Sequence, residues 1–350
     1  MLRALLALLI LAAGLAAESA VQPGQPFARG TCDGLIVTAD GALTFWTFRD
    51  DFRADSRTAY TLIATRAAPV NEAGFIDPAA RAGVYYTEQG PALAVEAGPG
   101  CRAGLSLPLP ALTDASFTCT YTPRSPAPAA GRVMLILETT AGGPVRLTHA
   151  FAAGRLTAAL NAAPLPPAPL PPSPAEGPAA PPFTLTAVRT GTAWLITLNG
   201  RPAAAFETPA AARLVRFMLV CEAADVRVNS ISLAALRGSF TSEIIPVDPA
   251  ATAGSMYIVW TDPRPDTGAW SGRLVTGMTP VDLAEPAWDN PALVFTDPRQ
   301  DITALLKQTR VLRYRLDLTL SPTAIPVQAA DLPAIRLAAV RQTPAAGGAE

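Results

Sequence analysis

The stretch FWTFRDDFR, residues 45–53, places two adjacent carboxylates, Asp50 and Asp51, between Arg49 and Arg53. A carboxylate pair could serve as the acid and the nucleophile of a glycosidase, or it could end a strand in a module that only binds. Adjacent residues of a strand point to opposite faces of the sheet, so Asp50 and Asp51 cannot share one site unless the strand bulges. The pattern therefore favours a strand end, with Asp51 bonded to loop backbone or to an arginine.

Other catalytic and metal-binding patterns are absent from the sequence. It contains no Gly-x-Ser-x-Gly, no glycine-rich phosphate loop and no His-Glu-x-x-His. The one histidine, His149 in RLTHAF, lacks an evident nucleophile partner and is expected on the surface of a strand. We expect no cofactor: one histidine and no Cys-x-x-Cys argue against zinc, and calcium, which Asp clusters could bind, is not indicated without EF-hand spacing. The net charge of −1 argues against nucleic acid as a partner.

The first 20 residues, MLRALLALLILAAGLAAESA, have the pattern of a secretory signal peptide. Arg3 precedes an apolar run, Leu5–Leu15, that is too short to span a bilayer, and small residues follow it. Cleavage could follow either Gly14-Leu15-Ala16 or Ala17-Glu18-Ser19. We therefore expect a secreted, periplasmic or cell-surface protein, with no transmembrane segment in the rest of the chain.

Short apolar segments that alternate with polar residues and stop at Gly, Pro, Asn or Asp predict an all-β fold. Two series of such strands, separated at Arg237-Gly238, predict two β-sandwiches, over residues 30–236 and 240–342, and a disordered tail, 343–350. A short helix is expected at Asp301–Gln308, with Asp301 as its N-cap and Leu305 and Leu306 facing inward.

Two local signals lie inside the first series. Asn199-Gly200, after the alternating strand WLITL, predicts a type I′ hairpin, because both residues tolerate positive φ. Residues 164–182, PLPPAPLPPSPAEGPAAPP, cannot form a regular strand or helix and are expected to be extended and exposed. That segment is either a surface loop between two strands, which we favour, or a docking segment for a proline-binding partner.

The first series resembles the concanavalin A-like, laminin-G-type jelly rolls of secreted bacterial proteins over roughly residues 30–236. The resemblance is carried, in order, by FRDDF, by FTLTAVRTGTAWLITLNGR and by the closing strand ADVRVNSISL. The second series resembles other accessory β-sandwiches through RYRLDLTLSP. This family implies a fold more firmly than an activity, because the same sandwich hosts lectins, adhesion modules and glycosidases.

The glycosidases of this family carry Glu-x-Asp-x-(x)-Glu on one strand, which places the carboxylates on one face of the sheet. This sequence has no such pattern; Glu138, for example, stands alone on its strand. The resemblance therefore implies a secreted, non-catalytic protein that binds a polysaccharide or a cell-surface glycan. Two alternatives stay open: a structural or adhesive envelope protein without a small ligand, and a divergent glycoside hydrolase.

Four cysteines, an even number in an exported chain, predict two disulfides with three possible connectivities. Cys101 and Cys119 flank the turn-rich LPLPALTDA and are expected to form one bridge. The resemblance implies a second bridge, Cys32–Cys221, because the first and late strands are neighbours in jelly rolls of this type.

Tryptophans indicate where a sugar could bind. Trp194 and Trp260 sit inside apolar runs and are expected in the core. Trp270 and Trp288 lie in the turn-rich stretches DTGAWSG and EPAWDN, where the two alternatives, packing in the core and binding a ligand, both stay open. An aromatic ring can stack on a sugar face while a carboxylate takes its hydroxyls. We therefore predict ligand binding by Trp270, Trp288, Asp266 and Asp289, on loops of the second sandwich. The repeated WTDPRPD and FTDPRQD are either strand-ending turns, which we favour, or a polar lip of the same site.

Overall fold

The structure is a computed structural model, and it describes the chain in thirteen pieces. They are residue 27 and residues 29–65, 82–87, 92–124, 131–151, 155–160, 163–164, 182–261, 270–278, 293–294, 299–307, 311–320 and 332–344. The predicted signal peptide, nearly all of the proline-rich segment 164–182 and the end of the tail lie outside these residues. Within them, no helix is long and apolar enough to cross a membrane.

The described residues are almost entirely in strands. The first eighteen strands are β1 Thr31–Asp33, β2 Leu35–Val37, β3 Leu43–Phe45, β4 Thr47–Asp50, β5 Thr61–Thr65, β6 Ala82–Thr87, β7 Ala92–Ala97, β8 Arg102–Leu112, β9 Ala115–Pro123, β10 Arg132–Thr139, β11 Val145–Ala150, β12 Arg155–Leu160, β13 Ala163–Pro164, β14 Phe183–Thr190, β15 Ala193–Leu198, β16 Arg201–Glu207, β17 Leu214–Glu222 and β18 Asp225–Ala235. The remaining strands are β19 Arg237–Thr241, β20 Ile245–Pro246, β21 Ala251–Thr261, β22 Trp270–Met278, β23 Leu293–Val294, β24 Arg299–Asp301, β25 Val311–Leu320 and β26 Ala334–Pro344. This content confirms the predicted all-β class.

Strands β4–β18 form a sandwich of two antiparallel sheets. In the described residues, one sheet has eight strands in the order β16-β15-β14-β9-β18-β7-β6, with β4 also on β18, and the other has seven in the order β13-β12-β11-β10-β17-β8-β5. Alternate residues of each strand face inward, and they build one continuous core that contains Phe117, Trp194 and Phe217. Trp194 is buried, as predicted, and its indole N–H donates to Thr208 Oγ1 at 3.0 Å.

The second part of the chain builds another pair of sheets. Among the described residues these are a six-stranded sheet, β1-β19-β25-β22-β23 with β20 on β25, and a five-stranded sheet, β2-β3-β26-β21-β24. Their shared core contains Phe240, Tyr314 and Leu316, and Trp260 packs against it as predicted. The one-turn helix α1, Thr303–Leu306, begins two residues later than predicted, because Asp301 ends β24. Asp301 Oδ1 still accepts the Thr303 N–H at 2.9 Å, and Leu306 is buried as predicted.

The N-terminal strands join this second pair of sheets, which corrects the predicted domain limits. The sequence assigned residues 30–45 to the first sandwich. However, Thr31 of β1 stands opposite Thr241 of β19, and Leu43 of β3 stands opposite Ile335 of β26. Phe27 and Phe45 lie in the second core. Among the described residues, the second unit therefore combines N-terminal and C-terminal strands: β1 pairs with β19, β3 pairs with β26, and β2 pairs with β3.

The sandwich is inserted where β3 ends, and its two ends lie side by side. The N–H of Ala235, at the end of β18, donates to the carbonyl of Trp46 at 2.9 Å. The next residue, Leu236, accepts a hydrogen bond from Leu320 in β25 at 2.7 Å. The region near 237–242 was expected to be a boundary, but β19 is hydrogen-bonded on both sides, to β1 and to β25.

Turn geometry agrees with one prediction and corrects another. Asn199 and Gly200 both have positive φ, 51° and 75°, as a type I′ hairpin between β15 and β16 requires. The segment LPLPALTDA is not mainly a turn, because β8 continues to Leu112. Strand β5 pairs with β8 only over Arg102–Ser106. The prolines beyond Ser106, which lack an N–H group, therefore remove no hydrogen bond between β8 and β5.

Neither predicted disulfide is present: all four cysteines are free thiols. Cys32 is exposed on β1 in the six-stranded sheet, whereas Cys221 is buried in the core of the sandwich. The two cysteines therefore lie in different units, because β1 does not belong to the sandwich. Cys101 and Cys119 are both buried in that core but remain unbridged. Burial raises the pKa of the Cys119 thiol to about 12, which keeps it neutral.

Candidate functional site

The two aspartates of FWTFRDDFR stabilise a strand end. Asp50 is the last residue of β4; its carboxylate accepts the Phe52 N–H at 2.8 Å, the Ser56 hydroxyl and the Tyr60 hydroxyl at 3.0 Å. Asp51 pairs with Arg53 at 2.8 Å on the surface, as the sequence predicted. The bonds of Asp50 hold Phe52 in the core with a positive φ of 53°, so this carboxylate shapes a loop.

His149 lies in β11 as expected, but it is buried and not on the surface. Its residue is 3% exposed, and its Nδ1 lies 2.7 Å from the hydroxyl of Tyr121 in β9. Phe151 and Phe183 pack against its ring. This burial lowers the pKa of His149 to about 4, so the imidazole is neutral at pH 7. The pair joins the two sheets through the core and has no access to a substrate.

The ligand residues predicted on the second sandwich fall mostly outside the described residues. Asp266, Trp288 and Asp289 lie there, and Trp270 is described only by its backbone, as the first residue of β22 opposite Leu320. The stretch DTGAWSG is thus not wholly a turn. Binding by these four residues stays a prediction.

The outer face of the eight-stranded sheet carries an exposed aromatic ring. Tyr85 in β6 is 49% exposed and lies on the outer side, since Val84 beside it is buried in the core. Its ring reaches the space above Gly83, where an added Cβ would lie 2.6 Å from Tyr85 Cζ. The ring therefore lies along the strand, over the position that a side chain would occupy at Gly83, in a residue that is half exposed.

Charged residues lie on the same face in the two neighbouring strands, β7 and β18. Gly83 stands opposite Glu96 in β7, and Glu96 stands opposite Asp225 in β18. Opposite residues on one face have Cβ atoms about 4.5–5.5 Å apart, so the two carboxylates are neighbours. Arg124 binds Glu96 at 2.7 Å. Arg227, opposite Ala94, continues the same face. We call Tyr85, Glu96, Arg124, Asp225 and Arg227 the Tyr85 face.

Rows of hydroxyls extend the same surface across four strands. The pairing places Ser232, Thr118, Thr186 and Thr197 in one row, and Ser230, Thr120 and Thr184 in the next. Hydroxyls face each other across the strands, with 3.3 Å between Thr118 and Thr186 and between Thr120 and Thr184. The sheet thus offers hydrogen-bonding groups in a regular, half-exposed array beside the aromatic ring.

This arrangement offers contacts for a flat ligand that carries several hydroxyl groups. The Tyr85 ring can take an apolar face of a sugar, while carboxylates, guanidinium groups and hydroxyls can take its hydroxyl groups. Among the described residues, no group of three or more His, Cys, Asp or Glu side chains could hold a metal ion.

The Tyr85 face was not predicted from the sequence, because its residues come from strands far apart in the chain. A usable signal was present in GVYYTE, residues 83–88, where Gly83 and Tyr85 share one face of an alternating strand. A glycine two residues before an aromatic on the solvent side leaves room for the ring to lie along the strand.

No protein-family model matches the chain, and no curated protein matches it. Solved structures that resemble it include a protein of unknown function with a galectin-like fold from Bacillus subtilis, 11% identical, with a TM-score of 0.36 over 55% of this chain and 98% of that one. The carbohydrate recognition domain of Emp46p, metal-free form, is 11% identical, with a TM-score of 0.38 over 53% and 94%. The carbohydrate-binding module CBM66 from Bacillus subtilis is 13% identical, with a TM-score of 0.34 over 50% and 95%. These likenesses are too distant to transfer a function to this chain.

Proposed function

We propose that this chain is a non-catalytic glycan-binding protein of concanavalin A-like type and that the Tyr85 face is its binding surface. The observation that carries the proposal is the Tyr85 ring, half exposed and lying along β6 over Gly83. An aromatic ring held against a sheet leaves an apolar patch in water, and stacking on a sugar removes that patch from water. Export to the periplasm, the cell surface or the medium belongs to the same proposal.

The neighbours of the ring suit a polar ligand. Glu96 is held by Arg124, and Asp225 and Arg227 lie on the next strand, so both signs of charge are present within one patch. Carboxylates accept hydrogen bonds from sugar hydroxyls and guanidinium groups donate to them. At roughly 25 cal/mol per Å² of apolar area, a stacked ring contributes about 1–2 kcal/mol, or about tenfold in affinity.

Glycan retention by matched variants tests the proposal. Tyr85→Ala should weaken retention on an array of neutral and acidic oligosaccharides about tenfold, whereas Tyr85→Phe, which keeps the ring, should leave retention unchanged. Leu195→Ala is the control, because Leu195 is 48% exposed on the outer side of β15 in the same sheet. Equal retention by Tyr85→Ala and Leu195→Ala would contradict the proposal.

One observation favours a second function, glycoside hydrolysis. Glu96 and Asp225 are cross-strand neighbours, and a retaining glycosidase uses two carboxyl groups about 5–5.5 Å apart. The Arg124 contact and the open position on a sheet face favour binding over hydrolysis. Reducing-end release from the retained glycan decides: hydrolysis that Glu96→Gln and Asp225→Asn both abolish would establish the enzyme.

A further inference from the structure

A polar cleft lies where the sandwich meets the six-stranded sheet. Its volume is about 450 Å³, which is within the usual range for a small-ligand site. Three arginines line it, Arg213, Arg313 and Arg315, against a single carboxylate, Asp33. The lining therefore carries an excess of positive charge in a chain whose net charge is −1.

The arginine from the sandwich side is held in place from several directions. Arg213 binds Asp33 through Nη1 at 2.7 Å. Its backbone N–H donates to the Thr140 hydroxyl at 3.0 Å, and its carbonyl accepts from the Thr140 N–H at 2.9 Å. The buried guanidinium of Arg189 donates to the carbonyl of Ala212, the residue before Arg213. These backbone contacts fix the main chain that carries Arg213 before any ligand arrives, whereas, among the described residues, its guanidinium is held only by Asp33.

The other two arginines come from one strand of the facing sheet. Arg313 and Arg315 are two residues apart in β25, so they share its outer face. Arg313 Nε donates to the carbonyl of Ser242 at 3.1 Å, and Arg315 Nη2 binds Asp317 at 2.9 Å. These contacts orient both guanidinium groups along the wall of the cleft.

Hydroxyl groups complete the lining. Thr31 stands opposite Thr241, which stands opposite Arg315, and Ser239 lies two residues before Thr241 on β19. A hydroxyl can donate or accept, so this wall suits a ligand with several hydroxyl groups, whereas the arginines suit one with an oxyanion.

We propose that this cleft binds the carboxylate of an acidic sugar, with Arg213 and Arg313 as its direct partners. Guanidinium groups bind planar carboxylates through paired N–H donors, which gives both strength and orientation. This inference rests on the proposed function for the identity of the ligand, but it concerns a separate site, because the cleft shares no residue with the Tyr85 face. The chain would then bind a charged glycan at two sites, the cleft and the Tyr85 face.

Calorimetric titration of the full chain tests the assignment with three probes. They are a galacturonate oligosaccharide, the galactose oligosaccharide of the same length and inorganic phosphate. We expect the galacturonate oligosaccharide to bind more tightly than its neutral counterpart, and the difference to shrink as salt is added, because ions screen partly exposed charges.

Four variants decide which residues act. Arg213→Gln and Arg313→Gln should each weaken galacturonate binding at least about tenfold, as expected for a lost charge-assisted hydrogen bond. Asp33→Asn should strengthen it, because the variant removes the one negative charge of the lining; a variant that only damaged the fold could not do so. Arg132→Gln is the control, since Arg132 and Arg213 side chains are both 44% exposed and both ion-paired at 2.7 Å.

Each result supports or overturns the inference. Galacturonate binding that Arg213→Gln, Arg313→Gln and Arg132→Gln leave equal would overturn it. Phosphate binding with the expected variant pattern, without binding of either oligosaccharide, would replace the acidic sugar by another oxyanion and would also count against the proposed function. Failure of galacturonate and phosphate to bind would overturn the cleft site alone if Tyr85-dependent retention of neutral glycans persists.

Discussion

The hydroxyl of Tyr121 and Nδ1 of His149 lie 2.7 Å apart and connect the two sheets of the sandwich through its core. The imidazole is neutral there, because burial lowers the pKa of His149 from 6.5 to about 4. An unfolded chain takes up a proton near pH 6.5 and the folded chain does not. The stability from this residue is therefore fully present above pH 6.5 and is lost as the pH falls to 4.

The first prediction is a loss of stability in mild acid. Between pH 7 and pH 4.5, His149 should lower the free energy of unfolding by about 2–3 kcal/mol, and His149→Gln should show a correspondingly smaller drop. Urea unfolding at both pH values measures it. Tyr121→Phe keeps the buried imidazole and should keep the acid sensitivity; equal sensitivity in all three proteins would refute the assignment. Asp40 and Asp301 have lowered pKa values and act mostly below this window.

The second prediction concerns thiols. One cysteine, Cys32, is exposed and three are buried, so a thiol reagent should titrate one group in the native protein and four after unfolding without reductant. Native reaction should be slow at neutral pH, because the thiol of Cys32 is partly desolvated although the residue is exposed, and this raises its pKa; Cys32→Ser should eliminate the reaction. Fewer than four thiols after unfolding would show that a disulfide forms, contrary to the structure.

The third prediction concerns limited proteolysis. The proline-rich segment 164–182 contains no Lys or Arg, so elastase, which cuts after small residues, is the suitable protease. We expect the first cut in that segment. We expect none in Arg237–Thr241, because β19 is paired on both sides. Early fragments that end within 237–241 would show that β19 does not occupy the middle of its sheet.

The fourth prediction returns to the tryptophans of the second unit. If Trp270 and Trp288 stack on a ligand with Asp266 and Asp289, then Trp270→Ala and Trp288→Ala lose glycan retention with unchanged melting. If the rings pack in a core, each change costs about 3–5 kcal/mol of stability. Measured beside Tyr85→Ala in one retention assay, these variants show which surface holds the glycan.

Local patterns predicted the strands well where neighbours in sequence decide the structure. The alternating stretch WLITL lies in β15, and Asn199-Gly200 forms the predicted hairpin. Alternation reports which face of a strand is buried, and turn residues report where it stops. These features depend on residues within a few positions of each other.

Pairing between distant segments could not be obtained in the same way. No residue pattern within β1 or β3 predicts that their partners include Thr241 and Ile335. The same limit applies to the sites: the cleft combines Arg213 with Arg313, and the Tyr85 face combines Tyr85 with Asp225. Groups of residues such as these can be identified only when the register of the sheets is known, because residues that stand opposite each other on paired strands can be any distance apart in the sequence.

The insertion of the sandwich between β3 and β19 sets an order of assembly during synthesis. Strands β4–β18 pair among themselves, so this part can fold as soon as Ala235 has emerged from the ribosome. Strands β2 and β3 can pair with each other early, but β1 must wait for β19 and the free edge of β3 must wait for β26, which is made last. A chain that ends prematurely near residue 300 would therefore contain a complete sandwich, but its strand β3 would lack its partner β26.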